Sequence, residues 1–162
     1  MLLGGMSKLT PATQALAKAN VAFEPVRYEY NPRADKIGLA AALALGLAPD
    51  AVLKTLMTLV DGRAVCVVVP SDREVQMKAL AALMGGKAAE MMRPADAERV
   101  TGYHVGGISP FGQRKVAPTA MEEDALLHDA VYINGGQRGL LLRLSPEDAR
   151  TFLQARIGPI SS

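Results

Sequence analysis

The sequence is poor in the residues from which many active sites are built. Of its 162 residues only one is cysteine and two are histidine, and tryptophan is absent. A single cysteine excludes a disulfide within the chain and a zinc site built on several cysteines. Two histidines leave little material for a catalytic triad or a histidine-rich metal site.

Long apolar runs are absent as well. No stretch approaches the roughly 18 to 20 apolar residues that a membrane span requires. The start of the chain lacks the basic flank of a signal peptide. We therefore expect no membrane association and a cytoplasmic location. The net charge of +2, without a dense block of lysine and arginine, is compatible with nucleic-acid binding but does not indicate it.

What the sequence does contain is typical of a globular domain, with 49% hydrophobic and 21% charged residues. Aromatic residues make up 4%, so the core must consist mainly of aliphatic side chains. Cys66 lies within the apolar run 64–69. A cysteine in such a run is usually an inert core residue and not a nucleophile.

A β-hairpin is the clearest local signal. Two β-rich runs, Lys54–Val60 and Ala64–Val69, flank Asp61-Gly62, a pair that favours a tight primed turn. Further strands are predicted within 21–30, 130–133 and 140–144, and helices over 10–20, 39–45, 74–84, 94–100 and from Ser145 to near Gly158. This pattern predicts one compact α/β domain with a mixed, largely antiparallel sheet or barrel and helices packed outside it.

Three segments place polar residues or glycines where a core strand would not. Lys54 begins an apolar strand, so it either faces solvent, as lysines usually do, or enters a pocket. The glycines of 106–110 either form a tight turn or let backbone N–H groups approach a developing negative charge. The segment Asn134-Gly135-Gly136 has the composition of a plain turn. The motifs of serine hydrolases, zinc proteases and phosphate-binding loops are missing.

Taken in order, three segments resemble one family. They are the Lys54-Thr55 strand, the segment 101–113 with its Gly-Gly-Ile-Ser-Pro sequence, and the segment 134–139. The resemblance is to the YbaK-type Cys-tRNA(Pro) deacylases, which are related to the editing domain inserted in bacterial prolyl-tRNA synthetases. It spans residues 8–157, which leaves 1–7 as a short N-terminal extension.

The resemblance implies hydrolysis of a mischarged aminoacyl-tRNA without a metal or another cofactor. It implies that Lys54 is essential, and that the backbone of Gly106 lines the reacting centre. We expect the Gly107 amide to help Gly106 bind the carbonyl oxygen. The expected substrate-binding residues are Tyr28, Ile37, Thr55, Ser109, Pro110, Asn134 and Gly135. In the cysteine-specific members the thiol of the substrate is thought to attack its own ester.

The sequence departs from the family pattern at three positions of the expected pocket. Ile37 stands where the best-known members have phenylalanine, Asn134 replaces a serine, and Leu141 replaces an aspartate. The amino acid removed is therefore open, and cysteine, alanine or another small residue would fit. The expected partners are the aminoacylated 3′ end of tRNA, in particular tRNA(Pro), and a prolyl-tRNA synthetase. The alternatives are a non-catalytic module that binds aminoacyl-tRNA or a synthetase, and an esterase that acts on a small ester.

Overall fold

The structure, a computed structural model, describes residues 10–162. The predicted extension 1–7 and the start of the domain at residue 8 lie outside these residues. The helices are α1 (Pro11–Lys18), α2 (Ile37–Leu45), α3 (Met77–Leu83), α4 (Pro94–Thr101) and α5 (Pro146–Leu153). The strands are β1 (Glu24–Arg27), β2 (Val52–Val60), β3 (Arg63–Pro70), β4 (Ala89–Met91), β5 (Thr119–Glu122), β6 (Val131–Asn134), β7 (Leu140–Leu144) and β8 (Arg156–Gly158). This confirms a single α/β domain.

The eight strands form one mixed sheet in the order β1-β7-β6-β2-β3-β5-β8, with β4 paired to β2. Pairing is antiparallel for β1/β7, β6/β7, β2/β3 and β2/β4, and parallel for β2/β6, β3/β5 and β5/β8. The predicted hairpin is confirmed as β2 and β3. Asp61 and Gly62 have φ angles of 49° and 81°, as a primed two-residue turn requires.

Local capping chemistry fixes the helix ends near the site. The Thr10 hydroxyl accepts a hydrogen bond from the Thr13 N–H, so Thr10 caps α1 as its sequence predicts. Helix α2 ends at Leu45 and is followed by Gly46, whose φ of 67° lies in the left-handed region. The end of α2 therefore agrees with the prediction, and the helix begins two residues earlier, at Ile37.

Two helices are shorter than predicted. Helix α3 begins at Met77 instead of residue 74, because the backbone of Glu74 pairs with that of Ser162 in both directions. The last helix ends at Leu153 and not near Gly158, because Gln154 adopts a left-handed conformation and β8 then pairs with β5. Both differences arise from pairing with residues distant in sequence.

The core consists mainly of aliphatic side chains, as expected from the composition, with a few aromatic ones such as Phe111. Cys66 is buried in the larger cluster, and burial raises the pKa of its thiol to about 12. Its thiol therefore stays protonated and unreactive at neutral pH. Among residues 10–162, no helix has the length and apolarity needed to cross a bilayer.

Candidate active site

On the side of β2 that faces β6 and β4, the middle of the strand has no hydrogen-bonded neighbour in the described part of the chain. One edge pairs with β3 along its whole length, whereas the other pairs with β6 only at Val52 and Leu53 and with β4 only at 58–60. The Met57 carbonyl accepts from the Met92 N–H and closes the far end of the gap. The backbone from Lys54 to Leu56 thus has no neighbouring strand on this side.

Thr55 is the residue whose backbone faces this gap. Alternate residues of an antiparallel strand direct their N–H and C=O groups to opposite neighbours. The Val52 carbonyl accepts from Ser71 on the β3 side, so Lys54 and Leu56 also bond towards β3. The N–H and C=O of Thr55 consequently point outward, beyond the last rung of the β2/β6 ladder.

The Thr55 side chain adds a third unpaired group. Its Oγ1 is buried, and it has no hydrogen-bond partner among the described residues. A buried hydroxyl without a partner is unfavourable, so a native protein rarely retains one without a reason. Thr55 therefore brings an unpaired N–H and an unpaired carbonyl to the gap, with a buried and unpartnered hydroxyl on the same residue.

A cavity of about 450 Å³ lies beside this open edge. Its volume is in the range of small-molecule sites, roughly 300 to 1,000 Å³. Apart from glycines, its wall is mostly apolar, with a few charged or hydrogen-bonding side chains. The lining residues with polar side chains are Tyr28, Asp35, Lys36, Lys54, Thr55, Ser71, Glu74 and Asn134.

Lys54 enters this cavity instead of facing bulk solvent, since its side chain is 21% exposed. Its Nζ lies 3.4 Å from a carboxylate oxygen of Glu74. The same oxygen lies 3.8 Å from Nζ of Lys36 at the start of α2. Two ammonium groups thus share one carboxylate, and the three charges sum to +1 at the cavity mouth.

Gly106 lies opposite, on a loop held by hydrogen bonds from three directions. The Val105 N–H donates to a Glu98 carboxylate oxygen (2.8 Å), and the Val105 carbonyl accepts from Arg138 Nε (3.0 Å). The Gly106 carbonyl accepts from Asn134 Nδ2 (3.2 Å). Among the described residues no hydrogen bond involves the Gly106 N–H, so this amide is available to a ligand.

The second glycine of the pair does not have the predicted role. The Gly107 N–H donates to the His104 carbonyl at 2.8 Å, so it is occupied within the loop. A Cβ at this position would lie 2.9 Å from the Arg138 backbone nitrogen. Gly107 is therefore required for close packing of the loop, and Gly106 is the only one of the two with an open amide.

Asn134 connects the two loops at the end of β6. Its Oδ1 accepts from the Gly136 N–H at 2.7 Å while its Nδ2 donates to the Gly106 carbonyl. Asn134 was predicted both to shape a turn and to line the pocket, and these two roles are compatible. Asn134 lines the cavity and also fixes the position of Gly106.

The remaining wall of the cavity is apolar. Ile37 and Ala41 of α2 and Leu141 of β7 contribute to it, next to Tyr28. Burial raises the pKa of Tyr28, so its hydroxyl remains neutral at physiological pH. No carboxylate occupies position 141, and the wall at this point is hydrocarbon.

Three further predicted substrate-binding residues lie behind the cavity wall. The Ser109 hydroxyl accepts from the Phe111 N–H within a turn, and Pro110 is buried next to it. The Gly135 carbonyl accepts from the Thr10 hydroxyl at 2.6 Å. These residues support the loops that carry Gly106 and Asn134 and are not part of the lining.

Sequence reasoning missed three residues at the rim. Glu74 was placed inside a helix, where its contact with Lys54 could not be expected. Tyr30 and Arg138 lie against Gly106, since a Cβ there would be 2.5 Å from the Tyr30 hydroxyl and 3.3 Å from Arg138 Nε. Gly106 has a φ of 91°, and this backbone conformation, which the sequence does not specify, brings it against Tyr30 and Arg138.

Comparison with known proteins identifies relatives along most of the chain. The family model described as the aminoacyl-tRNA editing domain matches residues 32–152. A protein of Enterococcus faecalis, named EbsC and designated a candidate Cys-tRNA(Pro)/Cys-tRNA(Cys) deacylase, is 33% identical over 124 residues, 76% of each chain. The proline–tRNA ligase of Nitratidesulfovibrio vulgaris is 36% identical over 85 residues, 50% of this chain and 15% of the ligase.

Solved structures share the fold. A crystal structure described as a candidate trans-editing enzyme for prolyl tRNA synthetase superposes with a TM-score of 0.81 at 22% identity, covering 94% of this chain and 95% of the other. A hypothetical protein gives a TM-score of 0.84 at 23% identity, covering 94% and 100%. At this level of identity the similarity establishes the architecture.

Proposed function

Because the chain belongs to the aminoacyl-tRNA editing domain family, we propose that it is a trans-acting deacylase that hydrolyses mischarged tRNA. The proposed substrate carries cysteine or another small amino acid, and tRNA(Pro) is the proposed acceptor. The designation of the EbsC relative and the match to a proline–tRNA ligase support this choice. The reaction would take place in the cytoplasm, with a prolyl-tRNA synthetase as a partner.

The observation that carries the proposal is the meeting of Lys54, Thr55 and Gly106 around one cavity at the open edge of β2. Lys54 and Thr55 are neighbours on β2, and Gly106 comes from a loop far along the chain; together they supply a cation, unpaired polar groups and a free amide. An aminoacyl ester needs this combination, since it has an ammonium group, a carbonyl and a leaving ribose oxygen. A non-catalytic binding module would not require a cation in a largely apolar pocket.

The proposed roles follow from the charges. The Gly106 N–H binds the ester carbonyl oxygen as negative charge develops on it, and Lys54 stabilises the same charge or the departing ribose oxygen. The Thr55 carbonyl and hydroxyl accept hydrogen bonds from the α-ammonium group. The cavity would thereby hold the ester in a reactive orientation, which alone can contribute several kcal/mol.

The attacking group in this scheme is not a side chain of the protein. The cavity wall contains neither cysteine nor histidine, and the Ser71 hydroxyl donates to the Pro49 carbonyl at 2.7 Å. The Thr55 hydroxyl has no hydrogen-bonded base among the described residues that could activate it as a nucleophile. Water or the substrate's own thiol therefore attacks the carbonyl carbon, and the bond to the ribose oxygen breaks. The ribose oxygen leaves with a proton taken from the attacking group.

The apolar wall limits the amino acids that fit. Ile37, Ala41 and Leu141 offer no partner to a charged or strongly polar side chain, so we propose a small and neutral one. A hydrophobic pocket separates side chains that differ by one methylene by only about 10- to 200-fold. Selection among cysteine, alanine and similar residues would therefore be incomplete and would depend in part on the tRNA or the synthetase.

The test is a deacylation assay on Cys-tRNA(Pro), Ala-tRNA(Pro) and Ser-tRNA(Pro) with wild type and Lys54→Ala. We expect rapid hydrolysis of at least one substrate and a loss on the order of 100-fold or more in the variant. Near-normal activity of a folded Lys54→Ala variant would refute the assigned role of the lysine. If none of the three is hydrolysed even with a prolyl-tRNA synthetase present, the binding-module alternative becomes the better explanation.

A further inference from the structure

An exposed arginine, Arg138, lies at the rim of the cavity beside Gly106 and makes two contacts with the protein. The guanidinium carbon of Arg138 lies 5.4 Å from the centre of the Tyr30 ring, in cation–π geometry. Its Nε donates to the Val105 carbonyl at 3.0 Å. The ring and the carbonyl together hold the guanidinium in one place on the protein surface.

Most of the binding capacity of this guanidinium is unused. Among the described residues no carboxylate lies within ion-pair distance of Arg138, and the hydrogen bond to Val105 engages only Nε. The nearby carboxylate of Glu98 is engaged by the Val105 N–H and by His104. The two terminal nitrogens, with four N–H donors, are therefore available for a ligand.

The opposite rim of the cavity differs in charge. There Lys36 shares the Glu74 carboxylate with Lys54, and Asp35 contributes a further negative charge. The positive charges on that side are thus largely balanced. On the Gly106 side of the mouth, Arg138 is a cation without an ion-pair partner among the described residues.

We propose that Arg138, supported by the Tyr30 ring, is a binding site for a phosphodiester, namely the one that precedes the terminal adenosine of tRNA. This inference rests on the proposed function, which places the aminoacyl group inside the cavity and the terminal ribose at its mouth. The phosphate on the 5′ side of that ribose then lies outside the cavity, at its rim. A planar guanidinium with free N–H donors binds phosphate oxygens in a bidentate manner.

Tyr30 is a positioning residue in this arrangement. It touches both Gly106 and Arg138, so it links the phosphate site to the amide that would bind the ester carbonyl. Binding of the phosphate would therefore help to orient the ester at Gly106. A substrate without that phosphate should react more slowly even if its amino acid fits the cavity.

The experiment compares 3′-aminoacyl adenosine with and without a 5′-phosphate, charged with the amino acid that wild type removes fastest. We expect wild type to prefer the phosphorylated compound in kcat/KM by about tenfold or more, the value of a hydrogen bond to a charged group. Arg138→Ala should abolish that preference, and Tyr30→Leu should reduce it. Arg143→Ala is the matched control, since Arg143 is an exposed arginine on β7 paired with Glu24 outside the cavity.

The preference is the ratio of kcat/KM for the phosphorylated compound to that for the unphosphorylated one. Any loosening of the 105–107 loop in Arg138→Ala lowers both values and therefore cancels from the ratio. A preference that survives in Arg138→Ala would overturn the proposal, as would equal rates for the two compounds with wild type. If wild type deacylates none of the aminoacyl-tRNAs, the proposed function fails; if it deacylates a tRNA but hydrolyses neither small compound, the proposed function stands. In both cases NMR titration decides the inference alone. Shifts of the Arg138 side-chain signal with 5′-AMP but not adenosine would support the phosphate site, and their absence would refute it.

Discussion

The ammonium group of Lys54 and the carboxylate of Glu74 lie 3.4 Å apart, and Glu74 also approaches Lys36. Glu74 reaches this position because the backbone of its segment pairs with the end of the chain at Ser162. The orientation of Lys54 in the cavity thus depends on a residue held in place by the C-terminal segment.

Glu74→Gln should lower deacylase kcat/KM about two- to fivefold. The variant keeps the shape of the side chain and removes the charge, and a partly exposed ion pair contributes up to about 1 kcal/mol. Glu147→Gln, which removes an exposed carboxylate paired with Arg150, is the control and should have no effect. A loss as large as that of Lys54→Ala would mean that Glu74 itself takes part in the reaction.

Thr55→Val should separate stability from activity. The substitution preserves the shape and removes a buried hydroxyl without a partner, so the free energy of unfolding should stay equal or rise by up to about 1 kcal/mol. The kcat/KM value should fall by up to about tenfold, because one net hydrogen bond to the substrate is lost. Urea denaturation and deacylation give the two values, and Thr55→Ser should retain activity. Unchanged activity in the valine variant would exclude the hydroxyl from substrate binding.

Alanine substitutions at Gly46 and Gly106, two glycines with positive φ, should separate the effect of backbone strain from the loss of function. Gly46 has a φ of 67° with open space around it, whereas Gly106 has a φ of 91° and lies against Tyr30. Alanine at either position should cost about 1–2 kcal/mol of stability from the left-handed backbone. We expect Gly46→Ala to keep full activity, and Gly106→Ala to lose at least about tenfold because its amide moves. Equal activity of the two variants would contradict the role of the Gly106 amide.

Ile37→Ala should broaden the range of amino acids removed. Shortening this side chain enlarges the apolar part of the cavity, so the relative rate for a larger substrate such as Val-tRNA should rise, by roughly tenfold. Leu39→Ala is the matched control on the same helix, at a position that does not line the cavity. The measurement is the ratio of kcat/KM values for two aminoacyl-tRNAs, and an unchanged ratio would exclude Ile37 from selectivity.

The raised pKa of the Cys66 thiol predicts how the free energy of unfolding depends on pH. An exposed thiol has a pKa near 9, and burial raises that of Cys66 to about 12. The unfolded chain therefore binds fewer protons than the folded one between about pH 9 and 12, and stability should fall across this interval. The slope should be smaller in Cys66→Ala, as measured by denaturation at several pH values. An identical slope in both proteins would show that the thiol ionises with the same pKa in the folded and the unfolded chain, which would contradict the effect of burial.

The sequence predicted the elements whose signals are local. The β2/β3 hairpin follows from Asp61-Gly62, and the end of α2 follows from Gly46, because each turn depends on the residues at the turn. Strands β4, β5 and β8 have three or four residues and adopt extended structure through partners far along the chain. Their extended conformation depends on those partners and not on a local pattern, so they were missed.

The site was predicted to a similar extent. Lys54, Thr55 and Gly106 were named from a family resemblance, and the structure brings them to one cavity. What the resemblance could not provide is the bonding within the loops. The occupied amide of Gly107 and the buried hydroxyl of Ser109 depend on backbone geometry that the sequence does not specify.

The gap beside β2 also affects how the protein behaves in solution. Unpaired strand edges are templates for edge-to-edge association and aggregation, which proteins generally avoid by covering them. Here β6 pairs as far as Leu53 and Met92 bonds to Met57, so the uncovered length is a single hydrogen-bonding position, Thr55. A foreign strand needs several consecutive rungs to attach. The gap beside β2 can therefore leave backbone groups open to a small ligand without itself serving as an edge on which copies of the protein would polymerise.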